Sequence, residues 1–298
     1  MNKKHLLKAV THLIPDAMYL KLKYRMRTGK SLNLKKPSGF NEKLQWLKLH
    51  DRNPKYSMMA DKAEVKKYVA ECIGQEHIIP TFGVWNKFED INFSALPEQF
   101  VLKCTHDSGG LVICRDKSWL DMEKAKKKIN KSLKTSYYWH SREWAYKDIK
   151  PRILAEQYIA DPWAQQWLSQ ETNTEGLVDY KFYCFHGEPK FLYVAYANLV
   201  NGEKNDLLSF LNLDWTPAPF FREDHEQIPV LPPKPQNLDE MIQIAEKLSA
   251  DIPFVRVDMY CISGKVYFSE LTFCPGGGFS LFSPEEWEKR IGDFIQLK

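Results

Sequence analysis

Apolar and polar residues alternate most clearly between Phe254 and Phe279, FVRVDMYCISGKVYFSELTFCPGGGF. The pattern predicts two strands about a Ser263-Gly264 turn, followed by a proline and three glycines. Shorter apolar runs predict strands in IIPTFGVW (78–85), on both sides of the loop in FVLKCTHDSGGLVIC (100–114), in RILAEQYI (152–159), and around His186–Pro189 in DYKFYCFHGEPKFLYVAYA (179–197). Helical signals fall elsewhere. Asp61 and Glu64 open DKAEVKKYVAECIG and Gly74 ends it, a helix that needs no function to explain it. The turn and cap at 38–41 start a helix with Leu44, Leu47 and Trp46 inward. Further helices are predicted over 119–135 (Lys-rich and solvated), 238–249 and 284–294. Leu6, Val10, Leu13 and Ala17 also keep helical spacing, with a break or restart at Pro15-Asp16. Six prolines make 198–236 read as loop-rich, and YYWHSREWAY (137–146) has no usable period.

The hairpin carries polar residues that a plain strand pair does not need. Arg256 and Asp258 share one face of the first strand, and Glu270 and Thr272 share one face of the second. A two-residue turn alone sets Asp258 opposite Ser269. A three-residue loop (263–265), or a bulge, sets Asp258 opposite Glu270 and Arg256 opposite Thr272. Facing carboxylates repel unless a cation lies between them, so the odd register and a divalent metal are expected. The competing reading is a hairpin with charges on its solvent face. A second polar intrusion is Lys103, inside an otherwise apolar strand, where an ammonium needs an anion. It precedes His106-Asp107-Ser108-Gly109-Gly110, whose small residues let backbone N–H groups approach phosphate oxygens. This is not the G-x-x-x-x-G-K-[ST] loop, and Ser-Gly-Gly also serves ordinary hairpins.

Composition narrows the setting. A chain of 298 residues, 44% hydrophobic and 27% charged, matches a soluble globular protein. Its six cysteines form no C-x-x-C pair, which argues against a zinc cluster or disulfide framework and for a reducing cytoplasm. No run of 18 apolar residues is present, and Lys8 and His12 interrupt any signal-peptide core. Charge is uneven. Residues 1–36 hold ten Lys and Arg against Asp16 alone, leaving 32 basic and 37 acidic residues in the remainder. Such a segment suits peripheral contact with the inner membrane face, against the plainer reading of a solvated helix face. No stacking or groove-reading motif accompanies it, so nucleic acid is not expected.

Taken in order, GFNEKLQWLKLHDRNPKY, DKAEVKKYV, VLKCTHDSGG, ILAEQYI, DYKFYCFHGEPKF and RVDMYCISGKVYFSELTFCPGGG resemble the TupA-like ATP-grasp proteins, linked to teichuronopeptide and other surface-polysaccharide synthesis. The resemblance implies an α+β ATP-grasp fold, two α+β subdomains clasping ATP behind a short basic helical region. The expected divisions are 1–76 (helical), 77–155 (lid with phosphate loop) and 156–298 (metal site). It implies that Lys62 and Lys103 bind ATP phosphates and that His106, Ser108, Gly109 and Gly110 belong to the lid. Glu156 would accept from the adenine amino group beside backbone of Gln157, Tyr158 and Ile159. Asp179 would serve the ribose and Lys181 a phosphate. Asp258, Glu270 and Thr272 would hold Mg²⁺, Arg256 would steady the reacting carboxyl, and the Gly277 turn would donate to an oxyanion.

Two departures stand out. The usual third metal ligand is an asparagine, and here it is Thr272, a poorer donor. The first 60 residues read as helical and basic, where many relatives begin with an α/β substrate domain. The activity implied is ATP-dependent ligation of an amine or amino acid to a carboxylate through an acyl phosphate. The carboxylate would belong to a uronic acid of a surface polysaccharide or its glycolipid precursor. The alternatives are a glycosyltransferase, weakened by the lack of an Asp-x-Asp pair, and a non-catalytic nucleotide-binding partner.

Overall fold

The Phe254–Phe279 hairpin forms with the expected register by a combination of two devices. Ser263 (φ 49°) and Gly264 (φ 76°) make a two-residue turn of the kind right-twisted strands favour. Val255–Ile262 (β9) and Lys265–Thr272 (β10) then pair from Ile262↔Lys265 outward. A bulge between Phe268 and Glu270 shifts the ladder by one residue. Asp258 therefore faces Glu270, and Arg256 faces Thr272. Before the bulge Val266 and Phe268 enter the core; after it Leu271 and Phe273 do. Without the extra residue Glu270 would point into that core.

The computed structural model describes residues 11–171, 176–200 and 203–297. Two larger sheets organise it. The first contains Thr81–Trp85 (β1), Phe100–Cys104 (β2), Leu111–Cys114 (β3) and Ile153–Gln157 (β4), in the antiparallel order β1-β4-β2-β3. The second adds Asp179–Phe185 (β5), Glu188–Val200 (β6) and Glu203–Asn212 (β7) to the hairpin, in the order β10-β9-β5-β6-β7. Phe221–Arg222 (β8) and Phe282–Ser283 (β11) form a small third pair. The expected division at 155/156 cuts through β4, which belongs to the first sheet up to Gln157. The loop-rich reading of 198–236 also misses β7. The six prolines all follow Asn212, so they do not interrupt this strand.

Strand alternation gives the five-stranded sheet two unlike faces. Tyr180, Phe182 and Cys184 of β5 enter the main core with Leu192, Val194, Val257 and Met259. Leu238–Ser249 covers this face through Met241, Ala245 and Leu248. On the opposite face β5 presents Asp179, Lys181, Tyr183 and Phe185 in succession. The Tyr183–Phe185 end lies in an aromatic cluster with Phe40, Phe191, Phe210 and Phe254, and full burial of such a side chain contributes about 1.5–3 kcal/mol. Phe40–His50 and Glu286–Asp293 close over it. The Lys181–Asp179 end lines a cleft toward the four-stranded sheet.

The N-terminal helices do not form a unit with a core of their own. Asp16–Thr28 (α1) buries Leu20 and Tyr24 beside Phe279. Phe40–His50 (α2) joins the aromatic cluster through Phe40 and Leu44. Lys55–Ala60 (α3) and Val65–Ile73 (α4) join the main core. Leu13 and Ala17 are exposed. Leu6, Val10 and the basic residues Lys3, Lys4 and Lys8 lie outside the described residues. Asp61 caps as expected, its Oδ1 accepting from the N–H groups of Ala63 and Glu64 (2.8 and 3.0 Å). Glu64 turns instead to Arg152.

Candidate functional site

Two connected cavities lie between the sheets. The larger, about 390 Å³, has apolar walls from Ile79, Val101, Leu111, Ile113 and Leu208. Gln157, Tyr158 and Ile159, at the end of β4 and just beyond it, also line it, with the Gln157 N–H donating to Pro80 O at 2.9 Å. The second, about 210 Å³, is lined by Lys62, Lys66, Lys103, the 107–110 loop, Asp179, Lys181 and Glu270. Lys103, Glu156, Asp179, Lys181 and Tyr260 belong to both. The arrangement is a slot with apolar walls that shares part of its lining with a cleft rich in ammonium groups.

Lys103 projects from β2 toward Glu156 on the neighbouring β4. Glu156 Oε1 accepts from Lys103 Nζ, and its Oε2 accepts from Lys66 Nζ at 2.9 Å. Glu156 is 4% exposed. Burial pushes its carboxyl up, but Lys103 and Lys66 outweigh that and hold it below the usual carboxylate range. Burial likewise works against the Lys103 charge, and Glu156, Tyr260 and Glu270 raise it overall. Glu156 is thus already bonded on both oxygens. An adenine amino group would have to share a lone pair with these lysines.

Lys66 was not legible as a functional residue. It sits four positions after Lys62 and so on the same side of the α4 start, the one signal that could have found it. It also donates to Ile79 O and Thr81 Oγ1. Lys62 Nζ donates to the Asp107 carbonyl, tying this helix start to the glycine loop.

Within that loop Ser108, Gly109 and Gly110 line the cleft and His106 does not. His106 is buried, with Nε2 near the carbonyls of Ser132 (3.3 Å) and Thr135 (3.0 Å). Its expected lid contact is corrected to a structural one, anchoring the loop to Met122–Leu133 (α5). Asp107 fastens the same loop through the Ser132 hydroxyl.

The hairpin face holds a closed ionic cluster. Asp258 is 0% exposed. Its Oδ1 accepts from Arg256 Nε (2.6 Å), and its Oδ2 from Arg256 Nη2 (2.5 Å) and Lys181 Nζ (2.8 Å). Burial pushes the Asp258 carboxyl up while Arg256 and Lys181 pull it down. The same pairings raise Arg256 and Lys181 well above their ordinary values against burial. Arg256 also donates to Tyr193 Oη (3.1 Å) and Thr272 Oγ1 (3.0 Å). The Thr272 hydroxyl donates to Glu270 Oε1 (3.3 Å). Glu270 stays open to the cleft. Burial raises its carboxyl, but Lys62, Lys181, Arg256 and Lys103 overcome this and hold it down to about 2.

Three of the expected roles fall on groups that already have protein partners. Asp258, Glu270 and Thr272 do not form a ready magnesium site: three N–H donors occupy both Asp258 oxygens, and Thr272 is engaged on both sides. Among the described residues no group of three His, Cys, Asp or Glu side chains could hold a metal. Of the three, Glu270 is the carboxylate that lines the cleft. Arg256 is spent on Asp258, Tyr193 and Thr272 rather than left open for a substrate carboxyl. The Gly277 N–H is held by the Cys274 carbonyl at 2.8 Å and so does not serve an oxyanion. The Gly277 carbonyl accepts from Gln45 Nε2 (3.2 Å) and Lys48 Nζ (2.6 Å), which makes this turn an anchor for α2.

The TupA-like ATPgrasp family model matches residues 42–296. No curated protein matches the chain. Among solved structures, it is similar to the D-alanine–D-alanine ligase of Bacillus anthracis, at 17% identity over 87% of this chain and 69% of that one, with a TM-score of 0.42. It is also similar to the ATP-grasp ligase PsnB complexed with its minimal precursor (10% identity, 77% and 57% covered, TM-score 0.40). A third is the N5-carboxyaminoimidazole ribonucleotide synthetase of Thermus thermophilus (11% identity, 72% and 45% covered, TM-score 0.36). The chain therefore spans less than two thirds of the last two.

Proposed function

The chain belongs to the TupA-like ATP-grasp family, and from that premise we propose that it is an ATP-dependent carboxylate–amine ligase. One observation carries the reading: the apolar slot beside the 157–159 backbone runs directly into the cleft of Lys62, Lys103 and Lys181. A purine needs apolar walls and a few edge hydrogen bonds, and a triphosphate needs several cations at its far end. In this reading Val101, Leu111 and Ile113 enclose the base. Glu156 and the backbone of Gln157, Tyr158 and Ile159 meet its edge, Asp179 meets the ribose, and Lys62, Lys103 and Lys181 meet the phosphates.

The reaction needs a carboxylate oxygen to attack the γ-phosphorus as ADP leaves, and then an amine to attack the acyl carbon as phosphate leaves and the nitrogen loses a proton. Lysines lining the cleft offset the charge that gathers on the phosphoryl oxygens. The 107–110 loop, fastened to Lys62 and α5, limits access of water to the same oxygens. Magnesium is the ion usual for such chemistry. The donor set here does not fit it while Arg256 and Lys181 hold Asp258, so no step is assigned to the metal. Arg256 is read as a positioning residue that fixes Asp258 and Thr272 around Glu270.

The carboxylate is proposed to be a uronic acid of a surface polysaccharide or its glycolipid precursor, and the amine an amino acid. The test is phosphate and ADP release by the purified protein with ATP, across uronic acids crossed with amino acids. Release that needs both partners supports the reading. Release of a nucleoside diphosphate from a sugar nucleotide, without ATP, overturns it.

A further inference from the structure

Helix α1 has an exposed apolar stripe on the side away from the protein. Leu20 and Tyr24 fix one side of the helix to Phe279. At about 100° per residue, Met18, Leu22 and Met26 run along the opposite side. They are 56%, 50% and 84% exposed. Lys21 and Arg25 border the stripe, and Arg27, Lys35 and Lys36 continue the exposed positive charge, while Lys30 is paired with Glu285 (2.6 Å). The acid of this segment, Asp16, is turned inward to Arg142 (2.9 Å) and Arg52 (3.6 Å). Its charge therefore does little to offset the outer face.

Three large apolar side chains in a row, bordered by cations, on a helix anchored by its other side, have one complementary partner: a surface that is apolar beneath and anionic above. We propose that α1 docks the protein on an anionic lipid bilayer, lying in the plane of the interface with Met18, Leu22 and Met26 inserted among the acyl chains. A second copy of the face would bring positive charge against positive charge. Residues 1–10, which carry Lys3, Lys4 and Lys8 and no acid, would do the same. The helix has 13 residues, and among the described residues no helix is long and apolar enough to cross a membrane. Contact is therefore superficial. Tyr24 and Phe279 stand 6.4 Å apart between ring centres, which sets the docking helix beside the turn that follows β10.

The test is flotation of the full chain with vesicles of phosphatidylglycerol and phosphatidylcholine, and with phosphatidylcholine alone. The protein is expected to float with the anionic vesicles only, and less as salt is raised. L22Q/M26Q and K21E/R25E are each expected to cut the bound fraction about tenfold, with unchanged circular dichroism. Absence of flotation by the wild-type chain, or equal flotation by both variants, overturns the proposal. A dimer that L22Q/M26Q dissociates in sedimentation, without vesicle binding by the wild type, also overturns it and assigns the face to self-association. Vesicle binding is read without turnover, so its failure leaves the ligase reading untouched.

Discussion

Lys181 Nζ lies 2.8 Å from Asp258 Oδ2, on strands that set these two residues directly opposite each other. One rung further, Asp258 faces Glu270. The row Lys181–Asp258–Glu270 thus crosses three strands with its cation at one end, and Arg256 closes it from the neighbouring row. Lys181 and Arg256 are the side-chain cations set against these facing carboxylates.

Replacing Arg256 is expected to destabilise the protein, because it strips two of the three donors from a fully buried carboxylate. Arg256→Met should lower stability by about 3 kcal/mol, read from urea unfolding. Arg256→Lys should recover little, since a single ammonium cannot reproduce the fork. A loss below about 0.5 kcal/mol, the level of an ordinary surface change, would show that the cluster is not closed in solution.

Nucleotide binding should depend on the lysines of the cleft and not on their exposed neighbours. Lys62→Gln and Lys103→Gln are each expected to weaken ATP binding about tenfold or more, at about 1.5–3 kcal/mol for a charge-assisted bond. Lys67→Gln, on α4 but 86% exposed and paired with Glu71, should not. Isothermal titration calorimetry separates these outcomes.

Metal affinity without nucleotide is expected to be weak. Mn²⁺ titrated into the protein alone and followed by electron paramagnetic resonance should remain in its free form, because Asp258 is occupied. Tight binding that Asp258→Asn removes would contradict the closed cluster.

Glu288 supplies a pH signature. It accepts from the Asn41 N–H (2.6 Å) and Asn41 Nδ2 (3.0 Å), and burial pushes its carboxyl up to about 7, against these bonds. An unfolded Glu titrates at about 4.3. Its contribution is therefore complete below about pH 4.3 and is lost as pH rises through about 7. Glu288→Gln should gain in melting temperature relative to wild type as pH rises across that window. A difference constant with pH would rule out the raised carboxyl.

The glycines of the loop should fail for different reasons. A Cβ on Gly110 would lie 2.7 Å from Cys104 Cβ and against the Ser132 hydroxyl. Gly110→Ala should therefore displace the loop at a cost of about 1–3 kcal/mol. Gly109 has open space but a φ of 134°, so Gly109→Ala meets backbone strain alone. Thermal unfolding gives the cost, and ATP titration shows which change moves the cleft.

Local chemistry was legible where a residue contradicted its surroundings. Lys103 in an apolar strand and two carboxylates in a hairpin each announced an ionic partner. The partners themselves were not legible. Lys66 looked like one more solvated lysine, and nothing near His106 said that its ring would meet the carbonyls of Ser132 and Thr135 at the end of α5. Strand β7 was hidden because the prolines beyond it dominated the composition of 198–236.

What the sequence by itself determined is most of the strands and longer helices, the Ser263-Gly264 turn, and the pairs of polar residues sharing a strand face, since all follow from local backbone preference and a period of two. Only the tertiary structure decided what those residues do to one another. The bulge before Glu270 turns it to the cleft, and β5 brings Lys181 against Asp258. Burial then makes the Arg256 fork and that lysine the lasting partners of the carboxylate. Such pairings depend on elements far apart in the chain and on desolvation, and neither is written in local spacing.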